Sequence, residues 1–208
     1  VNIKNCLYQA MIGVGGIGAG MFFRLDGDHT LGREESRSGY FLNRKDYCKL
    51  HIIAHYVQIL LGKDFTVIPV GKVGGDDVGQ RLVEEMRETG FKMDYVERSP
   101  GAQTLFSFCF IYPDGSGGNM TTSDSACSQV DAAFVQTAES QFLRFAGKGI
   151  SLAAPEVPLG ARARLLELGT KYQFLRVASF TSGEINTANH SGLLRQVDLL
   201  GINLDEAA

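Results

Sequence analysis

Tryptophan is missing altogether, proline occurs five times and cysteine four times in 208 residues, and neither sign of charge dominates. Each scarcity removes a class of protein. Five prolines exclude a collagen-like chain or a proline-rich linker. The four cysteines, Cys6, Cys48, Cys109 and Cys127, lie far apart without a Cys-x-x-Cys pair. They read as free thiols of a reducing compartment rather than a disulfide frame, and the cytoplasm is the expected location. Lysine and arginine number 20 against 23 acidic residues, a net charge of −3. Split at residue 100, the basic and acidic counts are 13 and 13, then 7 and 10, so no basic tract marks a nucleic-acid partner. A long apolar span is lacking too. Cys6 to Phe23 is free of charge but holds five glycines, which suits a buried strand and a Gly-rich turn better than a signal peptide or membrane span. The Asn-x-Ser/Thr sequences at Asn119 and Asn189 are then chance matches. Walker A and Gly-x-Ser-x-Gly sequences are absent, which removes P-loop and serine-hydrolase readings.

What is present is an ordinary globular composition, 44% hydrophobic and 21% charged, long enough for one domain over residues 1–208. The chain begins at Val1 and stops at Ala208 inside what reads as a helix start, and we expect a piece of a longer, C-terminally continued domain. Short β-branched runs alternate with amphipathic windows, the pattern of βαβ units. Strands are expected near 7–14, 66–71, 149–154, 174–179 and 198–202. Helices are expected over 46–61 with Asp46 as cap and Gly62 as stop, over 77–89 before Gly90, over 158–168 and through 131–145. Segments 21–45 and 93–122 carry turn dipeptides and alternating apolar residues, as hairpins do, and predict a small β-sheet projecting from the main one. Phe106, Phe108, Phe110 and Tyr112 would share one of its faces.

Several patterns could carry chemistry. Gly13-Val-Gly15-Gly-Ile-Gly18 is a literal G-x-G-x-x-G after a strand, the loop that cradles a dinucleotide pyrophosphate. Asp26, Gly27, Asp28 and Gly32 interrupt the helix such a loop requires, so a buried strand and tight turn compete with it. Cys48, His51 and His55 fall on one helical stripe as candidate metal ligands, against a packed helix face. Asp114 to Gly118 suits a hairpin turn better than a calcium loop. Gly71 to Gly79 joins a strand to a helix, where aspartate can cap, and serves either a turn or a ligand. Glu156, in Glu156-Val-Pro158, stands at the C-terminal end of a strand, where open parallel sheets bind ligands. Asn203-Leu-Asp-Glu206 has the same placement, with a carboxylate suited either to water-held Mg²⁺ or to a simple N-cap box.

In order, the Gly71–Gly79 turn, the Thr104–Gly115 hairpin with its Tyr-Pro-Asp-Gly end, Ala154-Pro-Glu156-Val-Pro158 and Val197–Ala207 resemble the ribokinase-like (PfkB) family of carbohydrate and nucleoside kinases. The resemblance implies an α/β three-layer sandwich with a mostly parallel central sheet and a β-sheet lid. It implies ATP-dependent transfer of the γ-phosphate to a substrate hydroxymethyl group, ATP and Mg²⁺ as cofactors, and a sugar- or nucleoside-like substrate. Separately, unpaired sheet edges tend to be covered, so the lid hairpins are a candidate surface for a homodimer. By the same resemblance Asn203 and Glu206 belong to the nucleotide and Mg²⁺ region and Glu156 to the substrate cleft. Gly18 and Gly20 stand where the family carries substrate-gripping asparagine and aspartate, and Cys48–Ile53 replaces its Gly-Gly segment. The catalytic base is expected beyond Ala208. The departures leave a ligand-sensing, non-catalytic member of the fold as the alternative, and a dinucleotide-dependent oxidoreductase behind it.

Overall fold

A computed structural model describes residues 7–207. β1 (Ala10–Val14), β4 (Thr66–Gly74), β5 (Val96–Ser99), β8 (Gly149–Ala153), β9 (Leu175–Ala178) and β10 (Leu199–Leu200) form one sheet in the order β10-β9-β8-β1-β4-β5. Every pairing in it is parallel. Its middle strand β1 is buried throughout, as expected where helices cover both faces. Side chains alternate across it. Ile12 and Val14 pack with Leu165 and Leu166 of α5 (Leu159–Lys171) and with Val135 and Phe142 from α3 (Ala132–Gln136) and α4 (Glu139–Arg144). Met11 faces the opposite core with Leu50 and Ala54 of α1 (Lys49–Leu61) and Met86 of α2 (Asp77–Thr89). The result is the three-layer α/β sandwich of the ribokinase-like fold.

A second, four-stranded sheet has the order β3-β2-β6-β7, from β2 (Gly18–Leu25), β3 (Gly39–Tyr47), β6 (Leu105–Ile111) and β7 (Gly117–Thr121). Two antiparallel hairpins meet along a parallel seam between β2 and β6. β5, inside the segment 93–122 expected to belong to this sheet, instead pairs with β4 at the edge of the central one.

The local geometry decides between the alternatives left open above and corrects the start of one helix. Gly18 opens a strand, not a helix. The amides of Gly13–Gly18 therefore cannot present a helix N-terminus to a pyrophosphate, and the dinucleotide reading falls. α1 starts at Lys49, because β3 continues through Tyr47 and keeps Asp46 in the sheet rather than at a cap. His51 is buried against Tyr47, ring centroids 4.2 Å apart, and its Nδ1 has no partner. Burial holds its pKa down at about 4, so it is a neutral core residue, and the described residues hold no cluster of three metal-ligating side chains. The Asp114 carboxylate is spent on the β6–β7 turn, accepting from Ser116 N at 2.8 Å and Ser116 Oγ at 2.7 Å.

Cys48, Cys109 and Cys127 are unpaired thiols, and Cys6 lies outside the described residues. Among the described residues no helix is long and apolar enough to cross a membrane.

Candidate active site

A cavity of about 710 Å³ opens where the second sheet faces the C-terminal ends of the parallel strands. Its walls come from the loop after β8 (Pro155 to Pro158), from Thr181 and Glu184 after β9, and from Glu206 after β10. Leu105, Asn119 and Thr121 of the second sheet form the opposite wall, and Lys49 stands at its side. This is the place where open α/β sheets hold ligands, because successive βα loops converge there and their backbone groups are free of the ladder.

Glu156 is the costliest residue in that lining. Its φ is +76°, a left-handed conformation that strains any residue with a Cβ. Its carboxylate lies over Gly16, where an added Cβ would stand 2.1 Å from Oε2. That contact requires glycine at position 16. Glu156 Oε2 accepts the backbone N–H of Lys49 at 3.0 Å, the first residue of α1, and so takes the capping role that no side chain of the helix's own supplies. Burial raises the Glu156 pKa above the ordinary carboxylate range, and the Lys49 amide opposes that rise. Next to it, burial pushes the Cys48 thiol far up and the Cys127 thiol up to about 11. Neither is a thiolate nucleophile.

Glu184 is held from two sides. Thr181 N donates to its Oε2 at 3.0 Å, closing a capping box on α6 (Ser182–His190), and Arg162 Nη1 donates to its Oε1 at 2.9 Å. Arg162 is wholly buried, packs over the Phe180 ring at 4.4 Å and also donates to Ser179 O. The sequence signal for this pair was available in Thr181-Ser-Gly-Glu184. The buried arginine gave none.

Asn203 and Glu206 cap α7 (Leu204–Ala207) reciprocally: Glu206 N donates to Asn203 Oδ1 at 2.8 Å and Asn203 N to Glu206 Oε2 at 2.9 Å. Glu206 lines the cavity together with Glu156, so the two carboxylates singled out from the sequence share one site. Gly18 and Gly20 are not among its lining residues. Gly18 is pressed against Leu105 O and Cys48 Sγ, and Gly20 lies beneath Asp46 and beside Ser107 O. One carboxylate, with one oxygen already engaged, does not make a protein-only Mg²⁺ cage. It does suit an ion held mainly by nucleotide phosphates, the usual manner for Mg²⁺.

Comparison with known proteins puts this geometry in context. Residues 53–208 match the pfkB family carbohydrate kinases. No curated protein matches the sequence. Among solved structures, a Burkholderia thailandensis nucleoside kinase in complex with inosine is similar at 13% identity and a TM-score of 0.71, covering 95% of this chain and 61% of its own. Ribokinase from Cryptococcus neoformans var. grubii serotype A in complex with ADP gives 16% and 0.70, covering 93% and 57%. A carbohydrate kinase from Agrobacterium tumefaciens gives 15% and 0.65, covering 96% and 62%. The chain thus spans about 60% of the length of the structures it matches.

Proposed function

The chain belongs to the pfkB family of carbohydrate kinases, and from that premise we propose that the full-length protein is an ATP-dependent phosphotransferase acting on a sugar or nucleoside hydroxymethyl group. The observation that carries the reading is Glu156. A strained, half-buried carboxylate at the mouth of a helix costs stability twice, and such costs persist where the side chain serves a ligand. Phosphoryl transfer is mostly positioning and charge neutralisation. In this reading Glu156 and Lys49 fix one side of the acceptor, and Gly18 and Gly20 give the second sheet the close packing that sets its face against the cavity. Glu206, its backbone N–H held by Asn203 Oδ1, is the residue that would hold Mg²⁺ beside the nucleotide phosphates. Mg²⁺ would supply neutralisation of the phosphate charge. The catalytic base and most of the adenine site are assigned to residues after Ala208. The partners are a small molecule and a second copy of the chain, docked through the second sheet, and the location is the cytoplasm.

The test is ADP release by the full-length protein over a Mg²⁺ titration, comparing wild type with Glu206→Gln in the presence of an acceptor. The expected result is acceptor-stimulated turnover whose Mg²⁺ requirement rises about tenfold or more in the variant, the scale of losing a metal-orienting group. An unchanged Mg²⁺ requirement removes Glu206 from the metal, and ATP binding without turnover on any acceptor removes the kinase.

A further inference from the structure

We propose that Arg162 is a positioning residue for the nucleotide end of the cavity: it fixes the wall after β9 and cancels the charge of Glu184, so that the nucleotide polyphosphate meets a neutral surface there. The inference rests on the phosphotransferase reading of the cavity, which leaves both residues without a task.

Stability alone does not explain Arg162. α5 buries Ala161, Leu165, Leu166, Leu168 and Gly169 beside it, and Leu165, Leu166 and Gly169 follow it at i+3, i+4 and i+7, the spacing of one helical face. The arginine therefore interrupts an apolar stripe. It is the one buried lysine, arginine, aspartate or glutamate among the described residues. Apolar side chains often replace a buried ion pair without loss of stability, because desolvating two charges costs as much as their attraction returns. Here the cost is not fully offset, since Arg162 Nε is buried without a partner.

The contacts that Arg162 does make converge on one loop. Nη2 donates to Ser179 O at the end of β9, the guanidinium carbon lies 4.4 Å from the Phe180 ring centroid, and Nη1 donates to Glu184 Oε1 at 2.9 Å in the first turn of α6. Both ends of the loop are held by one side chain. Thr181 N donates to the other carboxylate oxygen of Glu184, Oε2, at 3.0 Å. With each oxygen engaged, Glu184 is fixed in one orientation, and its exposed part, 26% of the side chain, lines the cavity together with Thr181.

The place of Glu184 gives the pair its electrostatic meaning. α6 packs against α7, so Glu184 stands on the Glu206 side of the cavity, where the phosphotransferase reading puts the phosphates. Of the three carboxylates in the lining, Glu206 is the one that would hold Mg²⁺, and Glu156 caps α1. Glu184 is left as the charge that would repel the nucleotide. The guanidinium beneath it, out of reach of water, cancels that charge without occupying the cavity.

The experiment is titration calorimetry of a non-hydrolysable ATP analogue with Mg²⁺ on the full-length protein. Wild type, Arg162→Met and the double variant Arg162→Met/Glu184→Gln are compared at low and high salt. Arg162→Met leaves Glu184 charged and unopposed, and weakens the analogue about tenfold. The loss shrinks to about threefold or less at about 0.5 M salt, where partly exposed charges are screened. The double variant removes both charges and returns to within about threefold of wild type, although it restores no packing. A merely structural role would leave both variants equally weak at either salt concentration, and that result overturns the proposal. So does a wild type that does not bind the analogue, or an Arg162→Met that binds within about twofold of wild type at low salt. Where Arg162→Met does not fold, Glu184→Gln carries the test with the opposite sign. It leaves the guanidinium uncompensated and tightens the analogue about threefold or more, and unchanged or weaker binding overturns the proposal. Phosphate transfer from ATP is assayed on the same proteins. Transfer by wild type, with the analogue bound equally by every variant, would end this assignment and keep the kinase reading. The charge-dependent binding pattern without transfer to any acceptor would do the reverse.

Discussion

Glu156 shows how one residue can be read partly from sequence and wholly only from the fold. Its position after a strand near Pro158 was visible in Ala154-Pro-Glu156-Val-Pro158. Its positive φ, its contact with Gly16 and its bond to Lys49 were not, because they depend on chain segments more than a hundred residues away. The pH dependence follows from the raised pKa. An unfolded Glu156 titrates near 4.5 and the folded one higher. Stability from this group is full below 4.5, declines as pH rises through the folded value, and stays low above it. Glu156→Gln removes the ionised form. We expect the variant to be more stable than wild type at pH 8, by about 1 kcal/mol on the scale of burying a polar group, and no more stable at pH 4. Urea denaturation at both pH values measures this. The same variant should lose about tenfold or more in acceptor turnover, so stability and activity move in opposite directions.

Among the elements, α2 was the most legible and α6 the least. Asp76 and Gly90 bracket a periodic apolar face in the sequence, and in the structure Asp76 caps Gly79 while Gly90 closes the helix at φ +107°. Asp76 does more than cap. Its Oδ2 accepts Thr104 N at 2.7 Å and its Oδ1 accepts Thr104 Oγ1 at 2.5 Å, tying α2 to the start of β6. Burial works to raise its pKa, but the hydrogen bonds from Thr104 and Gly79 outweigh it and leave it lowered. Its stabilisation is present above the unfolded value of 3.8 and is lost as pH falls through the depressed folded one. Asp76→Ala should cost about 2–4 kcal/mol at neutral pH, a cap plus two further bonds, and much less in acid, as urea denaturation at pH 7 and pH 3 would show. At α1 the apolar spacing was correct but the start was not. Asp46 looks like a cap in sequence, and only the pairing with Gly20 reveals that it belongs to β3. α6 was missed because its window has little apolar periodicity, leaving the Thr181–Glu184 box as its main signal.

At the scale of the whole molecule, the alternation of strands and helices made the central sheet and its two helical layers legible. The second sheet was legible as hairpins, but its parallel seam was not, because β2 and β6 are 80 residues apart and nothing local records which strands meet. The sheet's two faces differ. One looks on the cavity. The other carries Phe41, Met120 and Met21, which are 60%, 58% and 48% exposed, with Phe41 packed edge-on to Phe23 at 5.1 Å. An apolar face of this kind favours association. We expect sedimentation of the full-length protein to give a dimer and Phe41→Glu to shift it to monomer; a monomeric wild type would place the contact elsewhere or nowhere.

The central claim is that the cavity holding Glu156 and Glu206 accepts a small alcohol for phosphorylation. Its most direct test is mass-spectrometric detection of a phosphorylated product when full-length protein is incubated with Mg²⁺-ATP and a mixture of sugars and nucleosides, in parallel with Glu156→Gln. The account predicts one phosphorylated neutral acceptor in wild type and a strongly diminished yield in the variant. The same product at the same rate from both proteins would contradict the role of this cavity, and no product from either would contradict the kinase itself.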